Sequence, residues 1–224
     1  TAKHIGVPSD PLDAKSSRNN FWPVAVGKES VNGVTLANKD EMFIYGEVLQ
    51  SANENIPYSE YAQYIETTAS DYGHTLRNCV QGKNFNVNSI SNWGHAYPTR
   101  MVTWVESHDN YCNDGSYNIN NSYIIQAWAV AAARNQGTPL FFSRPNGSST
   151  NNMWGNNVLA EIGDSTFKDP QVTAVNFFRN AMMGQPEYLR NPGGSSQVLQ
   201  IDRGTEGTCI INLGGSTTIS NKTT

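Results

Sequence analysis

The repeat of the apolar residues changes once along this chain, near Met183, and that change limits the fold more than any other feature. Up to Met183, buried-strand runs alternate with helical patterns. Beyond it only short strand-like segments remain, separated by glycine turns. Alternation of strand and helix points to a parallel sheet covered by helices, and a strand-only tail to an antiparallel β-domain. Residues 1–40 read as irregular, broken by Pro8, Pro11 and Pro23. Glu41 to Leu49 is a continuous apolar run with a carboxylate near its end, the pattern of a strand buried on both faces. Tyr58, Tyr61, Ala62 and Ile65 recur at helical spacing, Thr67 to Ala69 reads as a short strand, and Tyr72 to Val80 as a second helix. Met101 to Ser107 is the next buried-strand run. Ser122 to Arg134 reads as a helix capped by Ser122, with Ile125, Trp128, Ala129 and Ala132 on one face and Gly137 as its stop. Pro139 to Phe142 is a third apolar strand. Asp169 as cap and Pro170 in the first turn open a helix that runs to about Met183.

In the tail, Gln197 to Ile201, Thr208 to Leu213 and Thr217 to Ser220 are the strand candidates, and the β-domain opens near Tyr188. A β-sandwich needs more strands than these, so this domain reads as a beginning. The expected organisation is residues 1–186 as an α/β domain and 187–224 as the start of a β-sandwich. About four strand–helix units are visible where a closed (β/α)8 barrel has eight. The sheet is therefore either a smaller open one or half of a barrel. The strand-like runs end in polar residues, at the edge where barrel active sites sit.

Composition narrows the function. With a net charge of -4 and 15% charged residues, the chain lacks the clustered Lys and Arg of a nucleic-acid groove. The longest apolar run, Ala127 to Ala133, is too short to span a membrane. No signal peptide opens the chain, which begins on Thr1 without Met and leaves a removed or missing N-terminal portion open. Cys79, Cys112 and Cys209 have no metal-like spacing, and an odd count leaves one thiol free or paired elsewhere. Abundant Asn, Ser, Thr and Gly with five Trp and ten Tyr suit a secreted protein, and suit carbohydrate binding, since aromatic faces stack on sugars while amides take hydroxyls.

Two acids end strand-like runs. Glu47 follows Phe43-Ile-Tyr-Gly, where desolvation can keep a carboxyl protonated for use as a general acid. Asp109 follows His108 in Glu106-Ser-His-Asp-Asn. Taken singly, a helix-capping Asp beside a satisfied His is the better account of the second acid. Two acids on strands two units apart suggest glycoside hydrolysis.

Phe43-Ile-Tyr-Gly-Glu-Val-Leu and Val102-Thr-Trp-Val-Glu-Ser-His-Asp-Asn resemble two signature blocks of the α-amylase family of glycoside hydrolases. Thr1-Ala-Lys-His-Ile resembles the tail of a third. Leu140-Phe-Phe-Ser-Arg-Pro and Ala181-Met-Met-Gly-Gln-Pro-Glu look like a secreted bacillar-type bacterial α-amylase. The resemblance runs through nearly the whole chain in matching order. It implies the C-terminal half of a (β/α)8 TIM barrel followed by an antiparallel β-domain, acting on starch and maltooligosaccharides. It implies Glu47 as general acid and base, Asp109 as transition-state stabiliser and His108 as a sugar-hydroxyl ligand. Lys3 and His4 would line the leaving-group side, and the backbone carbonyl of His4 would be a ligand of a structural calcium. The family's nucleophilic Asp would fall immediately before Thr1, so the chain is expected to be inactive alone and to need a chain carrying the N-terminal half of the barrel. The alternative is a non-catalytic glucan-binding fragment.

Overall fold

The computed structural model describes residues 25–27, 30, 33, 41–48, 58–94, 97–156 and 158–219. A four-stranded sheet runs in the order β1 (Tyr45–Gly46), β2 (Glu66–Thr68), β3 (Met101–Thr103) and β4 (Thr138–Pro139). The β1–β2 and β2–β3 pairs are parallel, with Tyr45 opposite Glu66 and Thr67 opposite Met101. An antiparallel sheet follows in the order β5 (Glu187–Arg190), β6 (Val198–Arg203) and β7 (Gly207–Asn212). The change of architecture thus falls where the apolar period changes. The chain divides into two compact units, and the division runs through β3: the first holds the described residues up to Ser70 with Tyr97–Val102, the second Asp71–Gly94 and everything from Thr103 on.

In the first unit β1 is two residues long, not the nine-residue run expected from Glu41 to Leu49. Nor is that run covered on both faces. Val48 is buried against Tyr61 and Ile65, with Ile44 and Tyr64 packed around them. Phe43 and Tyr45 point the other way, stacked with ring centroids 5.6 Å apart, and stay 51% and 48% exposed. Gly46 makes the inner packing possible, because a Cβ there would lie 2.8 Å from Ile65 Cδ1. The helix expected over Tyr58 to Ile65 stops at Tyr61, whose carbonyl takes the amides of both Tyr64 and Ile65. Ile65 is then free to turn onto β1 and start β2.

In the second unit, α2 (Ser70–Gln81) buries Tyr72, Leu76 and Val80, after the short α1 (Tyr58–Tyr61) of the first unit. Gly73 lets α2 approach the chain after β3, since a Cβ would sit 2.6 Å from the Trp104 carbonyl oxygen. The expected strand over Met101 to Ser107 ends at Thr103 because the next carbonyls turn to other donors: Arg77 Nη1 donates to Val105 O at 2.6 Å. Short helices α3 (Val87–Ser91) and α4 (His108–Cys112) were not legible as periodic patterns. The helix expected from Ser122 is α5 (Asn121–Ala133), and its cap is Asn120, whose side chain accepts from Ser122 N. Asn caps as well as Ser does, and it starts the helix earlier. α5 is buried well beyond one stripe, from Ile124 and Ile125 to Val130–Ala133. Of the strand expected over Pro139 to Phe142 only Pro139 lies in β4, which begins one residue earlier, with one further bond from Leu140 N to Thr103 O at 2.8 Å. α6 (Pro170–Ala181) has the expected Asp169 cap and early Pro170.

Beyond α6, β5 was not anticipated as a strand, and residues 217–219 form none. Both misses have one reason. Strand status here comes from pairing with β6, which is buried along its whole length, and not from apolar alternation. Three arginines tie the helices to one another and to this sheet. Arg134 Nε donates to both Glu187 carboxylate oxygens at 2.8 Å. Arg203 donates to Ala133 O at 3.0 Å and Met182 O at 2.8 Å, and Arg179 to Arg134 O at 2.8 Å. These bonds satisfy carbonyls left open at the ends of α5 and α6.

Candidate active site

The segment from Glu106 to Cys112 is built by two devices. Ser107 caps α4: its Oγ accepts from Asn110 N at 3.5 Å, and Asn110 Oδ1 accepts from Ser107 N at 2.7 Å. That reciprocal pair is a capping box with Asn in the third position. The second device is an ion pair. Glu106 is 2% exposed and Arg144 9%. Arg144 Nε and Nη2 each donate to a Glu106 oxygen at 2.9 Å. Arg144 Nη2 also donates to the carbonyls of Ser116 and Ile119 at 3.1 and 3.0 Å, and Ser116 Oγ donates to Glu106 Oε1 at 2.6 Å. A planar guanidinium in a bidentate pair, with further bonds from Nη2 to two carbonyls, is the arrangement in which burying two charges is tolerable.

With those duties met by neighbours, Asp109 has none. It is not the helix cap, which corrects the capping alternative raised from the sequence. Its carboxylate is 56% exposed, and its near partner is His108, with Nε2 3.5 Å from Oδ1 and the imidazole 82% exposed. His108 and Asp109 therefore stand together in the first turn of α4, past the end of β3 and not on the strand itself. Two acids three residues apart have opposite roles: Glu106 is internal structure, and Asp109 is presented to solvent.

Glu47 is the residue after β1 in the first unit, and it is exposed on the same side of the strand as Tyr45. The apolar enclosure expected around it is not formed by the described residues. Lys3 and His4 lie outside the described residues, and with them the carbonyl assigned to calcium. Among the described residues there is no group of three or more His, Cys, Asp or Glu placed to hold a metal ion. No described helix is long and apolar enough to cross a membrane. Cys79, Cys112 and Cys209 are all free thiols. Burial pushes the Cys209 thiol up to about 11 and the Tyr72 hydroxyl up to about 12, the latter despite the Arg134 guanidinium beside it.

Sequence reasoning missed Glu106 and Arg144 as a pair. The available signal was an acid at the end of the buried run Val102 to Val105, which needs a cation. It also missed a groove of 480 Å³ beside His108, lined by Tyr111, Phe142 and Trp154 among others.

The chain is similar in sequence to α-amylases of bacteria and animals. It is 42% identical over 249 aligned residues to an alpha-amylase of Butyrivibrio fibrisolvens, covering 100% of this chain and 25% of that protein. An alpha-amylase of Clostridium acetobutylicum is 36% identical over 99% of this chain and 26% of its own length. Pancreatic alpha-amylase of Homo sapiens is 25% identical over 93% of this chain and 47% of its own length. The chain thus spans about a quarter of the length of the two bacterial relatives. No protein-family model matches it. Among solved structures, alpha-amylase I of Eisenia fetida superposes with a TM-score of 0.58 at 19% identity, over 76% of this chain and 40% of that one. A point variant of the same enzyme in complex with maltohexaose gives 0.59 at 19% identity, over 83% and 43%. The fold matches part of that enzyme's: a parallel sheet of barrel type followed by an antiparallel sheet.

Proposed function

We propose that these residues are the C-terminal part of the catalytic barrel of a secreted α-amylase that cleaves internal α-1,4-glucosidic bonds of starch and maltooligosaccharides with retention. What supports the reading is the 42% identity to a bacterial alpha-amylase along the entire chain, joined to the geometry of α4. Asp109 and His108 project from a turn whose cap and buried charge are satisfied by other residues. Glu47 is the general acid: it protonates the glycosidic oxygen as the bond breaks, then takes a proton from the incoming water. Asp109 stabilises the cationic transition state electrostatically, and His108 holds a sugar hydroxyl in that state. In this reading the nucleophilic carboxylate would be supplied outside these 224 residues, Lys3 and His4 would line the leaving-group side, and the His4 carbonyl would be one oxygen ligand of a structural calcium ion. The bacillar-type resemblance of Leu140–Pro145 and the assignment of residues 187–224 to a β-sandwich belong to the same proposal.

The test is Glu47→Gln in the intact protein, which keeps shape and removes the transferable proton. Starch turnover falls by roughly 10² to 10⁴ while glucan binding survives. Near-normal turnover in the variant removes Glu47 from this role. The 224 residues purified alone do not hydrolyse starch, and activity returns when a separate chain carrying the rest of the barrel is added. Starch hydrolysis by the isolated chain that is lost on Glu47→Gln overturns that part.

A further inference from the structure

Trp154 lies in the 480 Å³ groove that also contains His108, Tyr111, Phe142 and Asn146. The indole is 48% exposed and Leu159, on the same groove, 98%. An apolar ring left in water on a loose loop would need no explanation, but this loop is braced. Tyr111 Oη donates to Met153 O at 2.8 Å, spanning from α4 to the residue before Trp154. Asn152 Nδ2 donates to Gly155 O at 3.0 Å, and Asn156 N to Asn146 O at 2.9 Å. Two glycines allow the loop to close on the chain after β4. A Cβ on Gly155 would fall 2.0 Å from Asn146 O, and one on Gly163 2.8 Å from Arg144 O. At the tip, Ala160 is held at a φ of 66°, a conformation that disfavours side chains and must be stabilised by its surroundings.

The chemistry of the groove selects its occupant. Its one carboxylate, Glu161, accepts from Asn146 Nδ2 at 3.1 Å, and its one titratable base is His108. That lining holds a single carboxylate and no Lys or Arg, so no cluster of charge selects an ionic ligand. A ligand that is neutral, with apolar faces and hydroxyl edges, fits an indole, an imidazole, an amide and the hydroxyl of Ser143. We propose that Trp154 is the stacking platform of a glucose-binding subsite, which continues the site from His108 along an α-glucan chain. This rests on the α-amylase reading, and it makes Trp154 a determinant of how long a substrate must be.

The experiment compares the intact protein with Trp154→Ala and Trp154→Phe on maltooligosaccharides from maltotriose to maltoheptaose, and measures retardation of each protein in gels containing glycogen. With Trp154→Ala, kcat/KM for the longest substrate falls about tenfold, the scale of losing one stacked aromatic face. The shortest substrate is hydrolysed at an unchanged rate, retardation weakens, and Trp154→Phe restores most of both. An unchanged length profile with unchanged retardation overturns the platform and leaves the α-amylase reading standing. A uniform loss on all lengths that Phe does not restore also overturns it, since that marks a role in folding. A parent protein that neither hydrolyses nor is retarded removes both. One that is retarded without hydrolysing, and loses retardation with Trp154→Ala, supports the platform alone.

Discussion

Residues three positions apart in sequence can serve opposite ends of a protein's economy of charge, and the Glu106–Asp109 pair does so. Glu106 is shut in with Arg144, while Asp109 faces solvent beside His108. Glu106→Gln leaves a buried guanidinium without its counter-charge and is expected to lower stability by about 3–5 kcal/mol, read from urea unfolding. Replacing both partners by apolar residues costs less than either single change, because no charge is left stranded. His108→Asn is expected to lower kcat more than it raises KM, as for a contact strongest in the transition state. A change in KM alone would make it an ordinary binding contact. Cys209 adds a pH dependence. Its folded pKa of about 11 exceeds the ordinary thiol value of 9.0, because burial disfavours the thiolate, so the folded state holds the proton more tightly. Stability from this thiol is complete below pH 9.0 and declines as pH rises through about 11. Cys209→Ala should flatten that decline in an alkaline unfolding series, and an unchanged slope would assign it to other groups. None of these partnerships was legible in the sequence, where Glu106 and Arg144 stand 38 positions apart. The motif residues were legible because they are local: His108 and Asp109 are adjacent, and Glu47 follows a recognisable run.

At the scale of elements, the long amphipathic helices and the order of strands could be read, and the boundaries could not. α2 and α6 carry their own signals: Leu76 and Val80 one turn apart in the first, Asp169 and Pro170 at the start of the second. α5 shows the limit. Asn120 and Ser122 are both good caps, and the bond from Ser122 N to Asn120 Oδ1 at 2.9 Å decides between them. Asn120→Ala is expected to cost about 1 kcal/mol in thermal or urea unfolding, and Ser122→Ala a few tenths. The reverse order would place the helix start where the sequence suggested. The strands were overestimated for a different reason. A run such as Glu41 to Leu49 reports apolar character, but a strand exists only where a neighbour supplies hydrogen bonds, and β1 has them at two residues. β5 is the converse case, a charged segment made into a strand by the partner beside it.

On the scale of the molecule, the parallel and antiparallel sheets look from sequence like separable modules joined near Pro186. The arginine bonds say otherwise within the second unit. Arg203 comes from the middle strand of the antiparallel sheet, yet it closes the last turns of two helices that precede that sheet. Glu187, the first residue of β5, neutralises Arg134, which also donates to Tyr72 Oη at 2.7 Å and lies 3.7 Å from the Trp93 ring centroid. A chain cut after Pro186 therefore loses more than its tail. It strands the Arg134 cation and uncovers carbonyls at the ends of α5 and α6, and amide exchange at those helix ends should quicken along with global unfolding. Equal protection with and without residues 187–224 would show the two parts to be independent. The wider consequence concerns inheritance: a recombination at this join transmits a helical layer without its own closure, so the sheet and the helices before it are expected to travel as one heritable block.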